Sequence, residues 1–471
     1  MKTFKTFICI LLAVCMVLPF AACGKETIIP EGNLDAEVTG SGQNEDFTYN
    51  IYSDGTVGIT KYTGGYTRHT VPSEIDGMQV SRIEDKAYFD VGLVKVTIPD
   101  SIIYIGDSAF ELNQDLASVK LSVNCQHIGS QAFYNCNALK KIQIPDGLQY
   151  IGSYAFTLTK WIEKHKEDFV IVGNGILIKY LGTDSEIVIP DEVRFISTAF
   201  SALNGRSFDY MGRLKKVTIG PSVEIIGDCA FNLCMHLEEI IIPDTVKYIG
   251  KRAFADCSAL TKIEIPESVT RIEEYTFYGC MGFKEYTVPD HIEYIGNAAF
   301  GKCWNLEKLN IGKGVSEINI GFIEESDYLT ELNVHDENKY YSAEDLCLYN
   351  GDKTVLYLYY KIKTDSVFNM PDTVEHVGDW AFNNCQNLVE IYLSDNLESI
   401  GICAFQTCQN IEYLHIADKL KLIDNSAFLN CSAFTEIFYE GSAEEWEEIE
   451  IRANNIAFND TYVNFNCTGE E

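Results

Sequence analysis

The chain is poor in positive charge: 36 Lys and Arg face 69 Asp and Glu, a formal net charge of −33 over 471 residues. That balance makes nucleic acid and anionic lipid poor partners. Past the first twenty-odd residues no apolar stretch approaches membrane-spanning length. The motifs of common catalytic machinery are missing as well. There is no H-E-x-x-H, no G-x-S-x-G and no Gly-Lys phosphate loop, and the eight histidines are scattered. Carboxylates are so abundant that a glycosidase-like pair could be drawn anywhere, so they read as a solvated acidic face. The expectation is a protein that is not an enzyme and needs no cofactor.

What is present begins with the N-terminus. Lys2 and Lys5 precede the apolar run "FICILLAVCMVLPF", which is short for a membrane span, and "AAC" follows, ending at Cys23. This resembles the lipobox of bacterial lipoproteins, with Ala21 and Ala22 before a cysteine that accepts lipid, although Phe20 stands where Leu is usual. The resemblance implies a signal peptide over 1–22, a lipid on Cys23 and an extracytoplasmic, membrane-anchored protein at the cell surface. Secretion without lipid is the alternative. Without the two signal lysines, 34 basic residues face 69 acidic, a balance of −35. A polar, Gly-punctuated tether is expected over 23–45, and alternation around Asp54-Gly55 predicts a β-hairpin cap over 46–70.

The body repeats. "KYIGKRAFADCSALTKIEIPESV", Lys247 to Val269, is followed by "TRIEEYTFYGCMGFKEYTVPDHI" on the same skeleton. Anchors of the Ile-Gly type fall at Ile105, Ile128 and Ile151, then at Ile226, Ile249, Ile272 (followed by Glu273) and Ile295, in steps of 23; displaced or degenerate copies at Ile83, Ile196, Ile318 and Val377 join Ile400 and Ile423, thirteen in all. A period in the twenties means a solenoid, because one unit cannot bury its apolar face alone. Within a unit, Ala253, Phe254, Cys257 and Leu260 have the spacing of a short helical face. Ile263 and Ile265 alternate with Lys262 and Glu264 as a strand, which Pro266 ends. The expected fold is therefore α/β over 71–440, with a parallel sheet on one face and short helices on the other.

Units such as "IEIPESVTRIEEYTFYGCMGFKE" resemble the BspA-type leucine-rich repeat of bacterial surface proteins. The resemblance covers about four-fifths of the chain. It implies a curved, right-handed arc, often displayed on cell surfaces and associated with adhesion and with binding of host or bacterial proteins. Two stretches depart from the unit, near 157–187 and 333–368. Each reads as a hairpin insert, around Gly173-Asn174-Gly175 and around Asn350-Gly351. The "GNG" is no dinucleotide loop, because a strand-like "ILIKYL" follows it. Residues 441–471 break the period, place Trp446 on a short acidic helix, and are expected to cap the open core.

Sixteen cysteines in an exported chain suggest a disulfide framework, but their positions do not. One recurring site holds Asn113, Cys136, Thr159, Asn204, Cys234, Cys257, Cys280, Cys303, Ser326, Cys385, Cys408 and Cys431. A column that accepts any small group able to meet the backbone is a packing and hydrogen-bonding site. A metal is not expected, since one cysteine per coil with no C-x-x-C pair cannot converge on zinc.

Candidate functional residues lie on the outward face of the strands. One row reads Lys216, Glu239, Lys262, Glu285, Lys308 and Glu331, an alternating ladder that would satisfy itself. Nearer the C-terminus the face turns aromatic. Tyr392, Tyr413 and His415 form the candidate binding patch, with Phe438 beside them under the cap or on the surface. The expected function is a surface-tethered, monomeric binding or adhesion protein that contacts an extracellular protein or glycan. An envelope scaffold or, less so, a carbohydrate-active enzyme are the alternatives.

Overall fold

The computed structural model describes residues 36–201 and 213–467. From Ala36 onward the chain forms one compact unit. The Ile-Gly anchors sit on two-residue parallel strands in register, Ile105 opposite Ile128 and Ile128 opposite Ile151 for example. Gly follows most of these anchors, and their side chains are buried in the core, with Ile318 partly so.

This ladder runs from Ile59 to Ile451 in stretches of five, four, three and five strands, seventeen in all rather than the thirteen expected. The four additional coils are the segments read as elaborations. The cap hairpin contributes Ile59, opposite Ile83. The inserts contribute Leu177, opposite Ile196, and Leu356, opposite Val377. The C-terminal segment contributes Ile451, opposite Ile423. Each hairpin thus lends one strand to the ladder, because an unpaired strand edge inside the stack would strand its amides. The tether expected over 23–45 also ends early: Val38–Gln43 pairs antiparallel with Phe47–Tyr52 and covers the free edge of the cap hairpin. Gly55, at φ +81°, closes that hairpin as expected.

A second parallel ladder is the long sheet, built from strands such as Lys216–Thr218 and Glu239–Ile241. Opposite it the sequence predicted short helices. The structure has turns there instead. In the quoted unit Arg252 and Asp256 have φ of 55° and 58°. The amides of Ala253, Ala255 and Cys257 donate three residues back, while those of Arg252, Phe254 and Asp256 donate to Glu274, Thr276 and Tyr278 of the next coil. A helix would satisfy its interior amides within one coil and leave none to bind the neighbour. Alternating the destination ties coil to coil, at about 1 kcal/mol of strain for each non-Gly residue held left-handed. The fold is mostly β. Among the described residues α-helix is confined to Ala443–Glu447 and Ile456–Asn459. The first carries Trp446 behind a Ser442/Glu445 capping box, and Trp446 packs on Tyr439 and Phe458 over the last coil.

Between the ladders a column of phenyl rings runs through the core, Phe110 on Phe133 at 5.2 Å and Phe405 on Phe428 at 5.0 Å among them. The cysteine column lies beside it. Cys136 Sγ donates to the Phe110 carbonyl (3.2 Å), Cys257 to Phe231 (3.3 Å) and Cys431 to Phe405 (3.0 Å). Ser326 donates in the same way to Phe300 and Asn113 to Tyr88, whereas Thr159 turns to Phe156 of its own coil. Asn204 lies outside the described residues. Burial pushes the thiols of Cys136 and Cys303 up to about 12, so the column is unreactive in the folded state.

Candidate functional site

Every second residue of a long-sheet strand points outward, and parallel register brings equivalent residues of successive coils about 4.8 Å apart. In the middle of the chain this face is polar. Lys216 meets Glu239 at 2.8 Å, and Lys308 lies between Glu285 (4.0 Å) and Glu331 (3.2 Å). Glu239 stands opposite Lys262 in register, but the Lys262 ammonium reaches Glu264 of its own strand instead, at 2.6 Å. The six-residue row is therefore two short ion-pair runs, and the sheet itself breaks between Lys262 and Glu285. Beside the second run, Asn310 donates to Thr287 and Asn333 to Asn310, both at 3.0 Å, so the adjacent row is also internally satisfied.

The last five strands, Val367–Asn369, Glu390–Tyr392, Tyr413–Ile416, Glu436–Tyr439 and Tyr462–Asn464, form one in-register stretch. One outward row is Val367, Glu390, Tyr413, Glu436 and Tyr462, and the other is Asn369, Tyr392, His415, Phe438 and Asn464. Tyr392 stacks on His415 with centroids 3.9 Å apart, and His415 stacks on Phe438 at 4.7 Å. Glu390 accepts from both Tyr392 Oη and His415 Nε2 at 2.9 Å. Tyr413 tilts against Phe438 at 6.5 Å. The phenol of Tyr392 is raised above its ordinary range, first by its hydrogen bond to the Glu390 carboxylate.

The structure thus brings Tyr392, Tyr413 and His415 together. Phe438 is half-buried rather than covered, because the cap continues this row with the small Asn464. Sequence reasoning missed two members. Tyr462, 70% exposed, joins the row by a 26-residue step from Glu436 that breaks the 23-residue period. Glu390 was legible only as a charge, although its offsets to Tyr392 and His415 place it within reach of both. Cys23 lies outside the described residues. Among those residues no group of three His, Cys, Asp or Glu side chains is placed to hold a metal ion, and no helix is long and apolar enough to cross a membrane.

The chain matches the model of the BspA type leucine-rich repeat region in six copies, over 74–170, 201–330 and 356–465. It belongs to the BspA-type leucine-rich repeat family. The two gaps between the matched stretches, 171–200 and 331–355, overlap the hairpin inserts. Among solved structures, a leucine-rich repeat protein from Eubacterium ventriosum is 26% identical over 57% of this chain and 69% of its own, with a TM-score of 0.44. A leucine rich cell surface protein from Faecalibacterium prausnitzii is 22% identical over 88% and 98%, with a TM-score of 0.29. The pneumococcal vaccine antigen PcpA is 16% identical over 90% and 96%, at 0.28. No curated protein matches the chain.

Proposed function

We propose that this protein is an extracytoplasmic binding protein, anchored through a lipid on Cys23, whose C-terminal sheet face contacts a protein partner. One observation carries the reading: aromatic side chains gather, partly exposed, on the C-terminal stretch of the sheet, whereas the middle of the same face is satisfied by ion pairs and an amide ladder. Stacked rings in register are pre-ordered, so little side-chain entropy is lost on contact. The stacking also bears on the class of partner. Sugars pack on ring faces, and the inner faces of Tyr392, His415 and Phe438 are spent on one another. What remains is a rigid apolar edge with two carboxylates, a surface suited to protein rather than to glycan.

The test is affinity for a partner retrieved from extracellular material by the full-length protein. Tyr392→Ala with Tyr413→Ala is expected to weaken binding at least about tenfold, as for aromatic anchors at an interface centre. Lys262→Glu should leave affinity unchanged. Undiminished binding by the tyrosine variant would refute the reading.

A further inference from the structure

The N-terminal stretch of the long sheet lacks the ion pairs that satisfy the middle of the face. Arg68–Thr70, Lys95–Thr97 and Ser118–Lys120 are parallel and in register, with Arg68 opposite Lys95, Lys95 opposite Ser118 and Thr97 opposite Lys120. Lys141 continues the first row opposite Ser118. Arg68, Lys95, Lys120 and Lys141 are all exposed, and none has an ion pair among the described residues. No carboxylate occupies either outward row in these four coils. In a chain with 36 basic and 69 acidic residues, four unpaired cations and no acid on one face run against composition. The pairing also runs against stability, because like charges directly opposite in a sheet repel. Lys216 and Lys308, on the same face further along, each have a carboxylate partner.

We propose that this N-terminal sheet face binds a linear acidic polysaccharide lying across the strands. The cations form a stripe over four coils, with Lys95 and Lys141 two coils apart, roughly 10 Å. A polymer charged on alternate sugars presents carboxylates at a comparable interval. The positions between the cations are Thr97 and Ser118, hydroxyls that can meet sugar hydroxyls. Neither outward row carries an aromatic side chain, so the strands offer no base-stacking platform of the kind that holds single-stranded nucleic acid. The net charge of −33 opposes a densely charged polyanion at longer range, which favours a sparsely charged one. This surface is distinct from the aromatic patch some three hundred residues along the chain, and it stands whether or not that patch binds protein.

The experiment measures binding of the intact protein to hyaluronan oligosaccharides, with neutral dextran, polyglutamate and a single-stranded oligonucleotide as competitors for the assignment. Hyaluronan is expected to bind at low salt, to weaken as salt rises, and to lose about tenfold in affinity in Lys95→Gln with Lys141→Gln. Arg68→Gln with Lys120→Gln should weaken it similarly. Both pairs should melt at or above the wild-type temperature, since repulsion is relieved, and Lys308→Gln and Tyr392→Ala should bind hyaluronan normally. No hyaluronan binding at low salt, equal binding of dextran, stronger binding of polyglutamate or oligonucleotide, or unchanged affinity in both paired variants would each overturn the assignment.

Discussion

His127 offers a direct test of how tightly the Ile-Gly ladder is packed. Its imidazole is sandwiched between Tyr104 and Tyr150, each at 4.5 Å and nearly parallel, and is 6% exposed. Its Nδ1 has no hydrogen-bond partner among the described residues. Burial therefore holds the ring neutral and pushes its pKa down from the usual 6.5 to about 3. Because the folded value lies below the unfolded one, the stability contributed by the neutral ring is complete above pH 6.5 and is lost as pH falls toward 3. Each pH unit inside that window costs about 1.4 kcal/mol, so the full span is worth about 3–5 kcal/mol. His127→Phe keeps the ring stack and removes the proton. Urea unfolding of both proteins from pH 7.5 to 4.5 should give curves that diverge on acidification, with the variant gaining about 2–3 kcal/mol on the wild type by pH 4.5. Asp228, lifted to about 6 by burial, adds the opposite trend to both proteins, its contribution being lost as pH rises through that value. The difference between the two curves isolates the histidine. Parallel curves would show that the ring is solvated and the sandwich loose.

Two further outcomes are expected. Free-thiol counting on the native protein should find almost no reactive cysteine, because twelve of the thirteen described are buried, whereas unfolding without reductant should release most of them. Recovery of only one or two thiols would mean that the column is oxidised. Cys23→Ser should move the protein from the detergent phase to the aqueous phase, and unchanged partitioning would contradict the lipid anchor.

Much of this fold was legible because the repeat is strict where side chains interlock. Ile249, Ile272 and Ile295 recur at 23 residues since each must fit the hole left by the last. The four coils that escaped notice lie where that step lapses. Leu177 and Leu356 enter on hairpins, whose pairing follows backbone hydrogen bonds rather than the repeat's spacing. The turn face was misread for another reason. Offsets of 0, 1, 4 and 7 suit one face of a helix, but consecutive turns place the same residues inward. A contrary signal was present in part of the position before the cysteine column, which holds Asn135, Asp256, Gly279, Asn384 and Asn430, although Leu112, Leu158 and Leu233 adopt the same conformation there. Asn, Asp and Gly are residue types that tolerate positive φ, and all five of those residues have it. The aromatic patch was legible from strand register alone, while Tyr462 was hidden by its 26-residue step.

The central claim, that the C-terminal sheet face is where the protein meets its partner, is tested most directly by placing a photo-crosslinking phenylalanine analogue at single positions. Illumination in the presence of the retrieved partner should trap it at Tyr392 and Tyr413 and not at Lys262, on the ion-paired middle of the same face. Trapping at Lys262 with none at the two tyrosines would contradict the claim.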